Sequence, residues 1–230
     1  MSRPSDSPRS GRLPVVAVFD FDATITYADS FAPFLRETVG PVGFWSRLVL
    51  FLPILLAHVV GLVSAGAAKQ MAVRLFLRGK RVDRLKDEVA ARFCATRLRA
   101  LMNPVALERL DQHLERGDRV ILLSASPELY LRVWAARAGV KEVLGTRLQV
   151  IDGRLTGALE GDNCKGEEKV HRLTDHLGPL INYRIYAYGD SPSDWAHLKL
   201  VAHPFYREFD SARGLRRRWL IARALVKALR

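Results

Sequence analysis

Short apolar runs that end in acidic or hydroxyl residues recur along the chain, and they constrain the fold more than any other feature. The first, Leu13 to Phe19, is rich in valine and precedes an aspartate; Arg119 to Leu123 repeats the pattern before a serine. A third run lies in "YRIYAYGD" and ends at Asp190. Runs of this kind predict buried strands. Because helical signals separate them, we expect an α/β fold with a parallel sheet and a site at its carboxyl edge.

The segments that follow these strands carry turn and helix signals. Ser126-Pro127 can begin a helix that ends near Gly139. The segment "GEEKVHRLTDHLG" predicts a helix of about three turns, with acids in its first turn and Gly178 after its end. Between them, "VLGTRLQVIDGRLTGALEG" alternates and turns at Asp152-Gly153, which predicts a hairpin.

The chain between the first two predicted strands is too long for a plain crossover. Residues 27–118 carry almost only helical signals, so we predict an inserted, all-helical cap there. The core would then consist of residues 13–26 and 119–210. Residues 1–12 are polar and rich in proline and serine, which predicts a disordered tail and not a secretory signal. Residues 211–230 predict a basic C-terminal helix.

Composition narrows the class of protein further. Hydrophobic residues make up 49% and charged residues 26% of the chain, as in globular proteins. The two cysteines, Cys94 and Cys164, are far apart, which argues against a disulfide framework or a zinc site and is compatible with a reducing cytosol. The net charge is +12, and from Pro204 onward eight basic residues accompany two acids. This excess favours an anionic partner such as an acidic membrane surface or a phosphorylated substrate. Nothing resembles a nucleic-acid-reading motif, so we expect no nucleic-acid partner.

Two aspartates stand together in "VFDFDATIT". In an extended chain alternate side chains share a face, so Asp20 and Asp22 would point one way while Phe19 and Phe21 point into the fold. Two adjacent carboxylates repel each other, but they suit a hard divalent cation such as Mg²⁺. One carboxylate can then attack a phosphorus atom while the other protonates the leaving group. The alternative is a simple turn with surface acids.

Three later motifs supply further groups that a phosphoryl-transfer site needs. Ser124, in "SAS", offers a hydroxyl to a phosphate. Lys165 and Lys169, in "NCKGEEKV", offer cations. Asp190 and Asp194, in "YGDSPSD", can complete a metal site and orient its neighbours. Each motif alone has a commoner explanation: a helix cap, a solvated lysine or an Asx turn.

The order of these motifs resembles the haloacid dehalogenase-like phosphatase superfamily, from about Val15 to Tyr206. The resemblance implies a Rossmann-like core with a cap, and phosphatase activity that depends on Mg²⁺. It implies that Asp20 is the nucleophile that becomes an aspartyl phosphate, and that Asp22 is first the general acid and then the base. Mg²⁺ would bind Asp20, the backbone carbonyl of Asp22, and Asp190.

The resemblance also assigns phosphate-binding residues, with Ser124 and a lysine holding the phosphoryl oxygens. The further candidates are Thr24 and Ala125 for phosphate binding, and Asp194, Ser126 and Asn163 as supporting residues.

The all-helical cap resembles the phosphoserine-phosphatase-like branch. "DGRLTG", "NCKGEEKV" and "YGDSPSDWAHLKLVAHP" resemble more closely a bacterial group that includes phosphatidylglycerophosphatase C. That group has its lysine after Gly-Glu-Glu, which favours Lys169 as the phosphate lysine. Phosphoserine phosphatases have Lys-Gly-Glu, which would favour Lys165, kept here as a second basic contact. Ala23 stands where glycine is common, and we expect it to be tolerated if the backbone needs no positive φ.

A long apolar run lies inside the predicted cap. Leu48 to Ala68 contains no formally charged residue, and its length approaches the ~20 residues of a membrane-spanning helix. A single crossing would separate Asp20 from Ser124, so the site could not assemble. Two alternatives remain: the run forms the core of the cap, or it enters and leaves the membrane on the same face. Pro53 and Gly61 are the expected breaks.

Together these features predict a Mg²⁺-dependent phosphomonoester hydrolase that acts on a membrane phospholipid phosphate, with phosphatidylglycerophosphate as the preferred substrate. Such an enzyme would be cytoplasmic and peripheral or monotopic on the inner face of the cell membrane, held by anionic lipid. One alternative is a soluble phosphatase for a small metabolite such as phosphoserine. The other is a catalytically idle family member that binds membranes or proteins.

Overall fold

The structure, a computed structural model, describes residues 13–210 of the chain. At its centre is a five-stranded parallel sheet in the order β3-β2-β1-β6-β7, and β4 and β5 form a separate antiparallel hairpin. The strands are β1 (Val15–Phe19), β2 (Arg119–Pro127), β3 (Glu142–Thr146), β4 (Leu148–Ile151), β5 (Arg154–Leu159), β6 (Arg184–Gly189) and β7 (His203–Tyr206). The predicted tail 1–12 and the predicted basic helix 211–230 lie outside the described residues.

Helices cover the sheet and fill the chain between β1 and β2. The helices are α1 (Phe31–Val59), α2 (Ala65–Leu77), α3 (Val82–Arg84), α4 (Ala91–Phe93), α5 (Pro104–Glu115), α6 (Glu128–Arg137), α7 (Glu167–Leu177) and α8 (Trp195–Leu198). Irregular helical turns join α3 and α4 into one stretch over residues 82–101. The predicted α/β class with a parallel sheet and a helical insert is therefore confirmed.

The central strand β1 is buried on both faces, as expected for a parallel strand between helical layers. Ala17 and Phe19 enter one apolar cluster, and Val16 and Val18 enter the other. All four are fully buried. The strand pairs with β2 on one side and β6 on the other, so the residues that follow these three strands share one edge of the sheet.

Helix α1 is longer and less interrupted than the sequence predicts. It continues through Pro53, so the predicted break there is wrong. The kink lies instead at Gly40, which has a φ of 74° and precedes Pro41. Glycine adopts this backbone conformation without strain, and proline is favourable at the start of the helical stretch that follows. Gly61, with a φ of 80°, lies in the turn after α1.

The outer face of α1 is apolar and exposed. Val49, Leu50, Leu56 and Val59 are 69%, 68%, 58% and 75% exposed. The most apolar 18-residue stretch of α1 has a mean hydropathy of 1.8 and none of it is buried, so by length and composition α1 is a candidate membrane span. The alternative in which the apolar run forms the buried core of the cap is therefore wrong.

Residues 143–161 differ from the single hairpin that their alternation predicts. β3 is a parallel edge strand beside β2, and only β4 and β5 form the hairpin. Their turn lies at the predicted Asp152-Gly153, with φ of 48° and 71°, which suits a two-residue hairpin turn. Alternation alone does not distinguish an edge strand of the main sheet from a hairpin strand. β7, at the opposite edge, carries no predictive motif.

Candidate active site

Three strand ends bring the predicted acidic and hydroxyl residues to one edge of the sheet. Asp20 follows β1, Asp190 follows β6, and Ser124 lies in the last part of β2. All three are buried. The Asp20 N–H donates to the carbonyl of Tyr188 at 2.9 Å, which fixes Asp20 beside the end of β6.

Lys169 joins two of the aspartates. Its Nζ donates to Asp20 Oδ1 at 2.7 Å and to Asp194 Oδ1 at 2.6 Å, and the residue is 2% exposed. Burial alone would lower the pKa of Lys169, but the two carboxylates outweigh it and raise the pKa, so the ammonium is charged. Lys165 is exposed. Of the two predicted lysines, the structure brings Lys169 to the aspartates.

Asp194 holds the loop after β6 in place. Its Oδ2 accepts hydrogen bonds from Ser191 Oγ at 2.7 Å, from the Ser191 N–H at 3.0 Å and from the Asp190 N–H at 3.2 Å. Burial would raise the pKa of Asp194, but Lys169 and these hydrogen bonds lower it overall. A Cβ on Gly189 would lie 2.7 Å from Asp194 Cβ, so only glycine fits there.

The acidic cluster fits the predicted Mg²⁺. Oxygens of Asp20, Asp190 and Asp194 lie within 4.8 Å of one another. Burial raises the pKa of Asp20 to about 7, although Lys169 acts in the opposite direction, so a divalent cation would supply charge that the ionised form needs. Carboxylate oxygens are the ligands that Mg²⁺ prefers. Asp20 and Asp190 are the better placed pair, because both oxygens of Asp194 accept hydrogen bonds, Oδ1 from Lys169 and Oδ2 from the loop after β6. Asp20 accepts from Lys169 through Oδ1.

Asp22 lies near this cluster but has partners of its own. Its Oδ1 accepts from the Ser30 N–H at 2.8 Å and from Ser30 Oγ at 2.6 Å, and its Oδ2 accepts from Ser126 Oγ. The Ser30 hydroxyl also lies 2.8 Å from the hydroxyl of Tyr130. Burial raises the pKa of Asp22 to about 6, the charge of Asp29 adds to the rise, and these hydrogen bonds oppose it. A carboxyl with a pKa near neutrality can both donate and accept a proton.

The backbone directly after Asp22 is strained at Ala23. Its φ is 62°, so the position does require the left-handed conformation, and the condition on which alanine was expected to be tolerated there is not met. An L-residue other than glycine loses roughly 1–2 kcal/mol in this conformation. The Ala23 N–H donates to Thr26 Oγ1 at 3.2 Å, which helps to hold the turn.

The other predicted phosphate-binding and supporting residues lie around the same edge. The Thr24 hydroxyl is buried and has no hydrogen-bond partner within the described part of the chain, so a phosphoryl oxygen would satisfy it. Ser124 Oγ accepts from the Ser126 N–H at 3.1 Å. The Ala125 carbonyl accepts from Thr146 Oγ1 at 2.6 Å, so a contact of Ala125 with phosphate would use its N–H group. Asn163 Oδ1 also accepts from Thr146 Oγ1, at 2.9 Å.

Three side chains at this edge are not among the residues that the sequence motifs predict. Ser30 and Tyr130 belong to the hydrogen-bonded group around Asp22. Lys69 reaches from α2, and its Nζ donates to the Ala125 carbonyl at 2.6 Å; burial lowers its pKa. Lys69 comes from cap helix α2, whereas Tyr130 lies on α6 of the core and Ser30 precedes α1, so tertiary packing and not a sequence motif brings the three together.

Comparison with known proteins agrees with this arrangement. The model of the haloacid dehalogenase-like hydrolases matches residues 17–199, most of the described chain. The chain belongs to the haloacid dehalogenase-like hydrolase family. Within the family, Protein CicA of Caulobacter vibrioides is 36% identical over 201 residues, covering 86% of this chain and 88% of that protein.

Two further proteins extend the comparison. The phosphoserine phosphatase SerB1 of Mycobacterium tuberculosis is 29% identical over 82% of this chain and 63% of its own length. A solved structure of a Bordetella pertussis Tohama I protein of unknown function superposes with a TM-score of 0.75 at 25% identity, covering 88% of this chain and 96% of that one. The family and the phosphatase among its members confirm the predicted enzyme class, a phosphatase. The finer resemblance to the phosphatidylglycerophosphatase C group stays a prediction.

Proposed function

We propose that this hydrolase is a Mg²⁺-dependent phosphomonoesterase that works through an aspartyl phosphate on Asp20. The observation that carries the proposal is the buried contact of Lys169 with Asp20 and Asp194 beside Asp190. A cation held between two buried carboxylates is costly to maintain for stability alone. It does suit a site that receives a phosphate dianion.

The chemistry balances with the groups present. A carboxylate oxygen of Asp20 attacks phosphorus, the ester P–O bond breaks, and the leaving oxygen takes the proton of Asp22. Asp22 then removes a proton from a water molecule, whose oxygen attacks the same phosphorus, frees Asp20 and yields inorganic phosphate. Lys169 has three N–H donors and uses two on carboxylates, so the third can hold a phosphoryl oxygen together with Ser124. Mg²⁺, when bound, supplies positive charge to the transferring phosphoryl group.

The test is release of phosphate from p-nitrophenyl phosphate, with Mg²⁺ and with a chelator. We expect Asp20→Asn to fall to background and Asp22→Asn to lose about 10²–10⁴-fold in kcat, the usual contribution of a general acid–base group. Asp175→Asn is the matched control, because Asp175 is an exposed aspartate on α7. Wild-type rates for Asp20→Asn, or full activity in the chelator, would contradict the proposal.

We further propose that the substrate is a phosphate monoester of a membrane phospholipid, such as phosphatidylglycerophosphate, met at the inner face of the cell membrane. The exposed apolar face of α1 and the net charge of +12 support this class. The similarity to a phosphoserine phosphatase supports a second candidate, a small soluble phosphomonoester such as phosphoserine.

The two candidates are separated by measuring kcat/KM for both compounds in the same detergent. The lipid substrate should be preferred by about tenfold or more, the range that differential contacts in one pocket provide. A preference of that size for phosphoserine would assign the enzyme to the soluble class. No phosphate release from either compound or from p-nitrophenyl phosphate would indicate a catalytically idle binding protein.

A further inference from the structure

A continuous apolar surface runs along α1. We call it the apolar strip, and its residues are between 38% and 83% exposed: Val42, Trp45, Val49, Leu50, Leu52, Leu55, Leu56 and Val59. Positions 42, 45, 49, 52, 56 and 59 recur every three or four residues, so they share one face of the helix. Soluble monomers rarely expose a contiguous apolar surface of this extent. The strip is therefore a surface that a partner covers.

The opposite face of α1 is fixed along α2. Near the start of the strip, Arg47 Nε donates to the carbonyl of Leu75 at 3.2 Å. The rings of Phe44 and Phe76 also pack against each other, with centroids 5.6 Å apart. In the turn that joins the helices, a ring nitrogen of His58 lies 2.7 Å from the carbonyl of Val63. The two helices therefore form an antiparallel pair. A partner can reach the strip only from outside this pair.

Helix α2 in turn lies on the core, which prevents α1 from crossing a bilayer. A Cβ on Gly157 of β5 would lie 3.0 Å from Arg74 Cα, so α2 and the hairpin are in close contact. Lys69 of α2 also donates to Ala125 beside the candidate active site. A crossing helix would have to leave α2 and expose Ala72 and Phe76, which are buried. The strip can meet a membrane only while α1 lies parallel to its surface.

The charges of the segment that contains α1 and α2 favour an anionic lipid. Between Glu37 and Asp83 the chain contains six lysines or arginines and no acid. Of these, Arg74 on α2, the helix beside α1, and Arg78 directly after it are exposed, whereas Arg81 is paired with Asp83. Basic residues beside an apolar helix face are attracted to anionic lipid headgroups. A second copy of the chain is a less favourable occupant than an anionic membrane, because each copy carries a net charge of +12 and two copies repel each other.

We infer that α1 lies in the plane of an anionic membrane surface, with the apolar strip in the lipid and without crossing the bilayer. This surface is distinct from the catalytic chemistry proposed above and does not depend on it. In this orientation the whole chain lies on one side of the membrane. Helix α2, which carries Lys69, lies between the lipid and the core.

The first test is flotation of the full chain with vesicles of phosphatidylcholine, with and without phosphatidylglycerol. The wild type should float with the anionic vesicles, and the double variant Leu50→Asp/Leu56→Asp should lose at least about tenfold in partitioning because both side chains would leave the lipid. Ile181→Asp is the matched control, since Ile181 is 84% exposed but lies outside the strip.

Three outcomes would overturn the inference. The wild type could stay in the soluble fraction with anionic vesicles, or the double variant could float as well as Ile181→Asp. The strip would be assigned to a second copy of the chain if the wild type did not float but formed a dimer that the double variant dissociates.

Catalysis is separable from membrane binding. The double variant should hydrolyse p-nitrophenyl phosphate at the wild-type rate, and Asp20→Asn should float normally.

The second test separates an in-plane helix from a crossing one. The chain has three further tryptophans, Trp134, Trp195 and Trp219, which are first replaced by phenylalanine. In that background, the fluorescence of Trp45, and of Leu52→Trp combined with Trp45→Phe, is measured with lipids brominated at shallow or deep acyl positions, which quench it. An in-plane helix places both indoles at the same shallow depth. A crossing helix would place position 52 about 10 Å deeper than position 45, at a rise of 1.5 Å per residue. Stronger quenching of position 52 by the deep bromines would overturn the in-plane orientation.

Discussion

Lys169 is the residue on which both stability and chemistry depend. Its ammonium lies within 2.7 Å of Asp20 and 2.6 Å of Asp194, and all three side chains are buried. Each carboxylate alone would be destabilised by desolvation, and the lysine alone would lose its charge. Lys169 stays charged because it lies between the two carboxylates, and its charge favours the ionised form of both.

Replacing Lys169 should therefore destabilise the fold, whereas replacing the exposed Lys165 should not. Lys169→Met should lower the free energy of unfolding by about 3–5 kcal/mol, because it leaves two buried carboxylates without a cation. It should also abolish phosphatase activity. The measurement is urea unfolding together with p-nitrophenyl phosphate hydrolysis.

Lys165→Met is the matched control, since Lys165 is exposed in the segment just before α7. Its stability should stay within about 0.5 kcal/mol of wild type, as for most surface substitutions. Equal losses in the two variants would show that the cluster around Lys169 does not stabilise the fold.

Among the elements, the short helix α8 supports the loop that carries Asp194. Its His197 and Leu198 are fully buried, and neither ring nitrogen of His197 has a hydrogen-bond partner among residues 13–210. Burial lowers the pKa of His197 to about 3; the charge of Lys169 acts in the same direction and that of Asp194 in the opposite one. The helix is therefore sensitive to acid.

The folded pKa of His197 lies below its unfolded value, so the unfolded chain binds more protons as the pH falls. The stability that depends on neutral His197 is present above the unfolded pKa of about 6.5 and is lost progressively toward the folded pKa. Between pH 7 and pH 5 the wild type should lose about 2 kcal/mol more than His197→Leu. The measurement is urea unfolding of both proteins at both pH values. Identical pH dependence would show that His197 does not titrate in this way.

For the whole molecule, the acidic cluster joins distant parts of the chain. Asp20 follows β1, Asp190 follows β6, and Lys169 lies in the first turn of α7. An ion bound here holds these elements together only in the folded state, so binding and folding are coupled.

Mg²⁺ should therefore stabilise the protein in the absence of substrate. At about 100 times its dissociation constant it should add about 2.7 kcal/mol to the free energy of unfolding. Asp190→Asn should remove most of that gain, while Asp175→Asn should keep it. Thermal unfolding with and without Mg²⁺ measures the effect, and an unchanged midpoint for the wild type would argue against a metal site at this cluster.

Several elements follow from local sequence. The apolar runs of β1, β2 and β6, the Asp152-Gly153 turn and the end of α7 at Gly178 depend on residue type and on neighbours nearby in the chain. Parallel pairing then brings the residues after the strands to one edge, which is why Asp20, Ser124 and Asp190 are predictable as a group.

Other features were decided by contacts between distant segments. The partners of Asp22, the approach of Lys69 and the pairing of β3 with β2 depend on how the helices pack on the sheet. The sequence alone determined that residues 48–68 are apolar, but the continuation of α1 through Pro53 and the exposure of its apolar face depended on which elements pack against it. Residue type sets the preference for burial, whereas only the packed chain decides which surfaces find a partner.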